Sequence, residues 1–181
     1  MSSHVIASSG SNARVQAREL TDAEISEIDH ELSLYPDREA VGLEALKIVQ
    51  KHQGWVSDES LLAIASYLDL PVAGLEGVAT FFNLIYRKPV GRNVILFCNS
   101  VSCWIMGCDE VRDGIRKQLK IDFGETSGDN VFTFLPVPCL GDCDRAPVMM
   151  VGDDLHRNLT AENVTAVLAK YTDIPESDAK K

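Results

Sequence analysis

Hydrophobic residues recur at helical spacing through the first half of the chain, and the polar positions between them mark where the helices begin and end. Thr21 is followed three residues later by Glu24, which is the pattern of a capping box. A second run extends over Arg38 to Gln53, and Gly54 follows it where a left-handed C-cap is expected. These signals predict two successive helices.

Two further helices are predicted before residue 90. Ser57 can cap a third helix that runs to about Leu68, and Pro71 suits the first position of a fourth helix. Because the connections are short, we expect residues 21–89 to form a small antiparallel helical bundle.

The pattern changes after residue 89, where short apolar runs typical of buried strands alternate with helical segments. The predicted elements are strands at 93–98, 131–137 and 148–151 and helices at 105–119 and 160–171. This order predicts a compact thioredoxin-like α/β domain over residues 90–172, and therefore an α+β fold for the chain.

The two ends of the chain have a different composition. Residues 1–20 are predicted to be a disordered leader, and the polar residues 173–181 a flexible tail. The leader is rich in Ser and carries Arg14 and Arg18, as a mitochondrial transit peptide also would, but we favour a bacterial leader.

Charge and hydropathy exclude several kinds of partner. The 181 residues hold 27 acidic and 17 basic side chains, and the net charge of -10 opposes binding to nucleic acid. It also argues against a helix-turn-helix function for the helical half. The apolar stretches are far shorter than the ~20 residues that a transmembrane helix needs, so no direct membrane insertion is expected.

The cysteines form two pairs, and each pair follows a predicted strand. Cys98 and Cys103 are spaced C-x4-C, and Cys139 and Cys143 are spaced C-x3-C. If the two strands are parallel neighbours, both loops leave the same sheet edge and four sulfurs can converge on one site. Such a donor set suits zinc or an iron-sulfur cluster.

Spacing alone leaves an iron-sulfur cluster, a zinc ion and unligated thiols open. C-x4-C is wide for structural zinc, whereas each iron of a two-iron cluster can take one pair. Gly107 and Gly141 allow close backbone approach to an anionic cluster. Apolar neighbours are expected to limit water at the site, namely Val101, Ile105, Leu140 and Val148.

The remaining chemical groups give weaker signals. Cys108 is predicted to be a buried thiol, and the four histidines have no metal-ligand spacing. The sequence lacks both a Gly-x-Gly-x-x-Gly motif and a P-loop. Binding of nicotinamide or flavin by this chain alone is therefore not expected, and we assign it no catalytic residue.

Several motifs together resemble one known family. They are ALKIVQKHQGWVSD at 45–58, EGVATFF at 76–82, RKPVGR at 87–92 and LPVPCLGDC at 135–143 followed by Ala146-Pro147. In this order, and with the two cysteine pairs, they resemble the family of E subunits of respiratory NADH:quinone oxidoreductases over about residues 20–172.

The resemblance implies a thioredoxin-like ferredoxin domain with one [2Fe-2S] cluster, whose ligands would be Cys98, Cys103, Cys139 and Cys143. It further implies an electron-transfer protein that lies beside two partners, the F subunit, which binds FMN and NADH, and the G subunit, which is the large iron-sulfur protein. These would form a peripheral arm at the cytoplasmic face of the bacterial inner membrane. Cys108 and residues 1–18 are outside the family pattern.

Two rival functions remain. The chain could be a zinc-stabilised interaction module, in which the metal only supports folding. It could also be the homologous small subunit of an NAD-linked hydrogenase or formate dehydrogenase, which would share the fold and the cluster. Metal content distinguishes the zinc module from the iron-sulfur protein, and the identity of the co-purifying subunits distinguishes the hydrogenase or formate dehydrogenase subunit from the respiratory one.

Overall fold

A computed structural model describes residues 16–172 of the chain. Residues 1–15 and 173–181, which hold most of the predicted leader and the whole predicted tail, lie outside the described residues. The chain divides into two compact units between Arg87 and Lys88. None of the helices in the described part has the length and apolar character that crossing a membrane requires.

The first unit, over its described residues 16–87, consists of four helices, and local signals in the sequence set their limits. They are α1 (Asp22–Leu34), α2 (Arg38–Gln53), α3 (Asp58–Leu68) and α4 (Val72–Phe81). Thr21 forms the predicted capping box, and the hydroxyl of Ser57 accepts a 3.1 Å hydrogen bond from the Ser60 amide. Gly54 ends α2 with a φ of 84°, as predicted. Pro71 is the N-cap of α4, so this helix begins one residue later than predicted.

The core of this unit is arranged around α2, which contacts the other three helices. Each helix turns apolar side chains toward this core, and the largest that are fully buried are Ile28, Leu46, Ile64 and Leu68. Burial of one such side chain contributes roughly 1.5–3 kcal/mol. The apolar side chains that the sequence pattern predicted for each helix therefore form the core that stabilises the bundle.

A buried ion pair joins the segment before α1 to the bundle. Arg18 donates two hydrogen bonds, of 2.6 and 2.9 Å, to the fully buried carboxylate of Glu24, and a third of 2.7 Å to the Ser60 hydroxyl. Burial alone would raise the pKa of Glu24, but the hydrogen bonds from Arg18, Thr21 and Gln53 together with the Arg18 charge lower it to about 2. The part of the predicted leader that is described, residues 16–20, thus includes one side chain that is fixed on the helical unit.

The second unit is built on a mixed sheet of five strands. They are β1 (Asn93–Cys98), β2 (Glu125–Thr126), β3 (Phe132–Val137), β4 (Met149–Val151) and β5 (Asp154–His156), in the spatial order β2-β3-β1-β4-β5. β1 pairs in parallel with β3 and antiparallel with β4. The parallel neighbours on which the predicted metal site depends are therefore present.

Three α-helices accompany the sheet in the described part of this unit, where two were predicted. They are α5 (Val101–Ile105), α6 (Cys108–Leu119) and α7 (Val164–Ala169). The single helix predicted over 105–119 was wrong, because Gly107 adopts a φ of 88° and separates α5 from α6. The last helix is also shorter than the predicted segment 160–171, since Thr160 and Asn163 bond each other in a turn before it begins.

Aromatic packing fills one side of this sheet. Phe97, Phe123 and Phe134 form a cluster in which the closest pair of ring centroids, Phe123 and Phe134, lies 4.5 Å apart. Phe97 and Phe134 are fully buried on β1 and β3. A helical unit followed by a mixed α/β unit confirms the predicted α+β class.

Candidate metal centre

The two cysteine loops leave the sheet at one edge. Cys98 is the last residue of β1 and lies opposite Val137, the last residue of β3. Because the two strands run in parallel, the chain leaves both of them in the same direction. Cys139 follows β3 after one residue, so it emerges beside Cys98.

Short helical turns carry the second member of each pair. Cys103 lies in α5, and Cys143 is the first residue of a 3₁₀ turn that extends to Arg145. Cys98 and Cys103 are buried, whereas Cys139 and Cys143 are exposed. The site therefore has a protein-covered side and a side that faces solvent.

The exposed pair has the spacing of two ligands on one metal. The Sγ atoms of Cys139 and Cys143 are 3.7 Å apart. Two thiolates at about 2.3 Å from a tetrahedral metal would be about 3.8 Å apart, so the two sulfurs can bind one ion with little rearrangement.

Cys98 connects the buried pair with the exposed pair. Its thiol is in hydrogen-bond contact with both Cys103 and Cys139. The structure thus brings together the four cysteines that the sequence singled out. Within residues 16–172, no group of three or more His, Cys, Asp or Glu side chains is arranged to hold a single metal ion.

The four thiols differ in their electrostatic surroundings. Burial, followed by the hydrogen bond with Cys98, raises the pKa of Cys103 to about 11. A hydrogen bond from the backbone of Gly141 and a second from Cys143 lower the pKa of Cys139. The pKa of Cys143 is raised, because its thiol donates to Cys139. A bound cation would favour the thiolate form of all four.

A backbone amide donates directly to one candidate ligand. The N–H of Gly141 donates a 3.3 Å hydrogen bond to Sγ of Cys139, in a loop where Gly141 has a φ of 81°. This left-handed conformation favours glycine. Hydrogen bonds to ligand sulfurs stabilise the negative charge of an iron-sulfur cluster. The donor set and this amide therefore fit a two-iron cluster in which each iron takes one cysteine pair.

The expected apolar shield is only half present. Val148 is buried and Leu140 packs against the core, but Val101 and Ile105 are 64% and 70% exposed. Neither Val101 nor Ile105 is covered by the described part of the chain, so the prediction that they limit water at the site stays a prediction. Cys108 is buried in the core at the start of α6, as predicted.

Sequence reasoning missed two groups beside the cysteines. The hydroxyl of Ser102 hydrogen-bonds Cys143, and the Arg157 side chain donates to the carboxylate of Asp142 within the second loop. A Ser next to a predicted ligand is a weak signal in sequence. No pattern in the sequence pairs Arg157 with Asp142, because the two lie 15 positions apart along the chain.

A sequence model of the thioredoxin-like [2Fe-2S] ferredoxin family matches residues 28–172, a range that covers most of the helical unit from within α1 onward and contains all four candidate ligand cysteines of the second unit. The chain belongs to this family. The match also confirms that the second unit is a thioredoxin-like ferredoxin domain.

Members of the family with high similarity are bacterial proteins named as the E subunit of NADH-quinone oxidoreductase. The chain is 46% identical over 158 residues to the one from Escherichia coli K12, an alignment that covers 87% of this chain and 95% of the relative. It is 47% identical over 152 residues to the one from Pseudomonas aeruginosa PAO1, which covers 84% of this chain and 92% of the relative. The predicted resemblance to this group of proteins is confirmed.

A solved structure shares the fold of this ferredoxin-family chain. It is a crystal structure of NAD+-reducing [NiFe]-hydrogenase in the air-oxidised state, with a TM-score of 0.64 and 20% sequence identity. The match covers 76% of this chain and 24% of the hydrogenase chain, so the chain corresponds to about a quarter of that protein's length. At this identity the likeness concerns the fold alone.

Proposed function

We propose that the chain is the electron-transferring E subunit of an NADH-quinone oxidoreductase and that it holds one [2Fe-2S] cluster on Cys98, Cys103, Cys139 and Cys143. The observation that carries this proposal is the convergence of four thiols at one sheet edge, with the Sγ atoms of Cys139 and Cys143 3.7 Å apart. The family match and the names of the relatives supply the electron-transfer context.

The protein's own groups suit this task. When bound, a [2Fe-2S] cluster takes up and releases one electron at a time. Cys98 and Cys103 are buried in the core, so they would hold the cluster from its protein-covered side. The Gly141 amide donates to the sulfur of Cys139 and would stabilise its negative charge when a cluster is bound.

The partner in electron exchange is proposed to be the adjacent F subunit, with its FMN and NADH. Four exposed apolar side chains of α5 and of the residue after it flank the buried Cys103 along the sequence, and we name them the apolar face: Val101, Trp104, Ile105 and Met106. Each of them is at least 60% exposed. An exposed apolar patch of this kind is typical of a protein interface. An electron carrier needs its partner's cofactor close to its own, so the apolar face is where the FMN-binding partner would dock.

The large iron-sulfur protein, the G subunit, is the second proposed partner. With both partners the chain would lie in the peripheral arm, at the cytoplasmic face of the bacterial inner membrane. Oxidation of NADH would take place on the FMN-binding partner, and this chain would supply no substrate site.

The test is metal analysis and electron paramagnetic resonance on the anaerobically purified chain. We expect about two irons and two sulfides per chain, visible absorption, and a one-electron paramagnetic signal that appears with dithionite. One zinc per chain and no such signal would overturn the proposal in favour of a zinc-stabilised module. In the assembled complex, addition of NADH should reduce the cluster through the FMN and produce the same paramagnetic signal. If NADH does not produce this signal, the role assigned to the FMN-binding partner is overturned.

A further inference from the structure

A short segment after β5 is bonded to the second cysteine loop at three successive residues, and we call residues 157–159 the strap. The Arg157 Nε donates to the carboxylate of Asp142. The Asn158 amide donates a 2.8 Å hydrogen bond to the Arg145 carbonyl, and the Leu159 amide donates one of 3.0 Å to the Pro147 carbonyl. The strap therefore follows the loop from the cysteines to β4.

The strap is itself fixed in place. The side-chain amide of Asn163 donates a 3.0 Å hydrogen bond to the Asn158 carbonyl, and Leu159 is buried in the core. Only the first of the three connections to the loop uses a side chain. That connection joins Arg157 to the residue immediately before the candidate ligand Cys143.

The charge of Asp142 is unfavourable at this position. An oxidised [2Fe-2S] cluster with four thiolates carries a charge of about -2, and reduction makes it about -3. A carboxylate beside it would oppose reduction, because like charges in a partly buried site repel each other. The side chain of Asp142 is 20% exposed, so solvent screens its charge only in part. Arg157 supplies the compensating positive charge.

We propose that Arg157 is a positioning residue that sets the reduction potential of the cluster and holds the Cys139–Cys143 loop, acting through Asp142. This inference rests on the proposed function, since it needs a cluster on the four cysteines. The positive charge of Arg157 offsets the repulsion that Asp142 would otherwise exert on the cluster. The hydrogen bond between Arg157 and Asp142 also holds the loop that carries Cys139 and Cys143.

A double-mutant cycle on the full chain with its cluster separates charge from loop fixing. We expect R157Q to lower the reduction potential and D142N to raise it, as read from the paramagnetic signal during a redox titration. The double variant R157Q/D142N should return toward the wild-type potential, because it removes both charges. It should still release iron to a chelator several-fold faster than wild type, since the loop has lost its side-chain anchor.

Arg145 offers a matched control. It also lies beside Cys143, but its side chain is 58% exposed and its partner Asp144 is 78% exposed. R145Q removes the same charge and leaves the backbone bonds of the strap intact, so a small shift in potential and unchanged iron release are expected. R157K, which keeps the charge, should stay closer to wild type than R157Q.

Two results would overturn the proposal. One is an equal shift of the reduction potential in R157Q and R145Q, and the other is a double variant whose reduction potential stays as low as that of R157Q. If R157Q does not fold, D142N still gives the sign of the charge effect, and an unchanged potential in D142N would also overturn the proposal. A wild-type chain that binds no iron would instead contradict the proposed function itself.

Discussion

Cys98 at the end of β1 lies directly opposite Val137 at the end of β3 in a parallel register. This single register brings two cysteine loops to the same sheet edge, although 35 residues separate Cys103 from Cys139. A shift of one residue would turn every side chain of the strand to the other face of the sheet. The candidate centre is thus a consequence of the strand pairing and of the short distance from each strand to its first cysteine.

The four cysteines should be required for the metal, and Cys108 should not be. We expect alanine at Cys98, Cys103, Cys139 or Cys143 to reduce iron from about two per chain to a small residue, because in each variant one of the two irons would lose one of its two protein ligands. Iron, sulfide and visible absorption of the purified variants would measure this.

Cys108→Ala is the internal control for that series. Cys108 is as buried as Cys98 and Cys103 and packs in the same apolar core, but it lies at the start of α6, outside both cysteine pairs, so this change should keep about two irons and cost only about 1 kcal/mol of stability. Loss of iron in the Cys108 variant, or retention of a full cluster after loss of Cys103, would contradict the assignment of ligands.

The elements that the sequence predicted well are those that local chemistry defines. Thr21 with Glu24 fixes the start of α1, and Gly54 fixes the end of α2, because each acts on backbone groups within one turn. The two cysteine pairs could also be recognised, since each follows a strong apolar strand and the parallel pairing of those strands is the common arrangement across a helical connection.

The features that were missed depend on tertiary contacts. β2 and β5 have two and three residues, which is too short for any periodicity to be visible. Gly107 inside a helical pattern gives no sign that it will adopt a positive φ and divide the helix. The exposure of Val101 and Ile105 could not be read either, because an apolar residue in sequence does not say whether the core or a partner covers it.

Gly141 should matter for cluster retention beyond its effect on stability. Its φ of 81° makes Gly141→Ala unfavourable by about 1–2 kcal/mol and weakens the amide hydrogen bond to Cys139. We expect several-fold faster loss of visible absorption in the presence of a chelator. Gly141→Asn should be affected less, because asparagine tolerates this conformation better.

Gly152 provides the comparison for that change. It also has a positive φ, of 58°, with no heavy atom within 4 Å of an added Cβ, and it lies between β4 and β5, outside both cysteine loops. Gly152→Ala should lower the melting temperature about as much as Gly141→Ala but leave cluster loss unchanged. Equal acceleration in both variants would mean that general destabilisation, and not the amide bond to sulfur, governs retention.

The apolar face should be needed for the partner and not for the cluster. Ile105 is 70% exposed, so Ile105→Glu removes little packing within the chain but introduces a charge into the proposed interface with the FMN-binding partner. We expect at least tenfold less of that partner to co-purify with the variant chain, which corresponds to about 1.4 kcal/mol. The iron content of the variant should be that of wild type.

Leu34→Glu is a matched variant for this experiment. Leu34 is also an aliphatic residue at the end of a helix and is 61% exposed, but it lies in the helical unit. The change should leave the recovery of the FMN-binding partner near wild type. If Ile105→Glu and wild type recover equal amounts of the FMN-binding partner, the apolar face is not part of the interface, whatever the cluster content.

The buried pair of Arg18 and Glu24 should make the helical unit sensitive to acid. The pKa of Glu24 is lowered to about 2 from 4.5, so the folded state holds the charged form more strongly than the unfolded state does. The stabilisation is complete above pH 4.5 and is lost as the pH falls toward 2. A shift of this size corresponds to about 3 kcal/mol.

Unfolding of Glu24→Gln and of the parent chain would measure this contribution between pH 6 and pH 2. Trp55 reports on the helical unit, provided that Trp104 is replaced by Phe in both proteins. The difference in unfolding free energy between the two proteins should be largest near pH 6 and shrink as Glu24 becomes protonated. The contributions of the other carboxylates cancel in this difference, because both proteins contain them. Glu44→Gln removes only an exposed pair with Lys47 and should cost less than about 1 kcal/mol. A difference for Glu24→Gln that stays constant with pH would show that packing, and not the charge of the pair, holds Arg18 on the bundle.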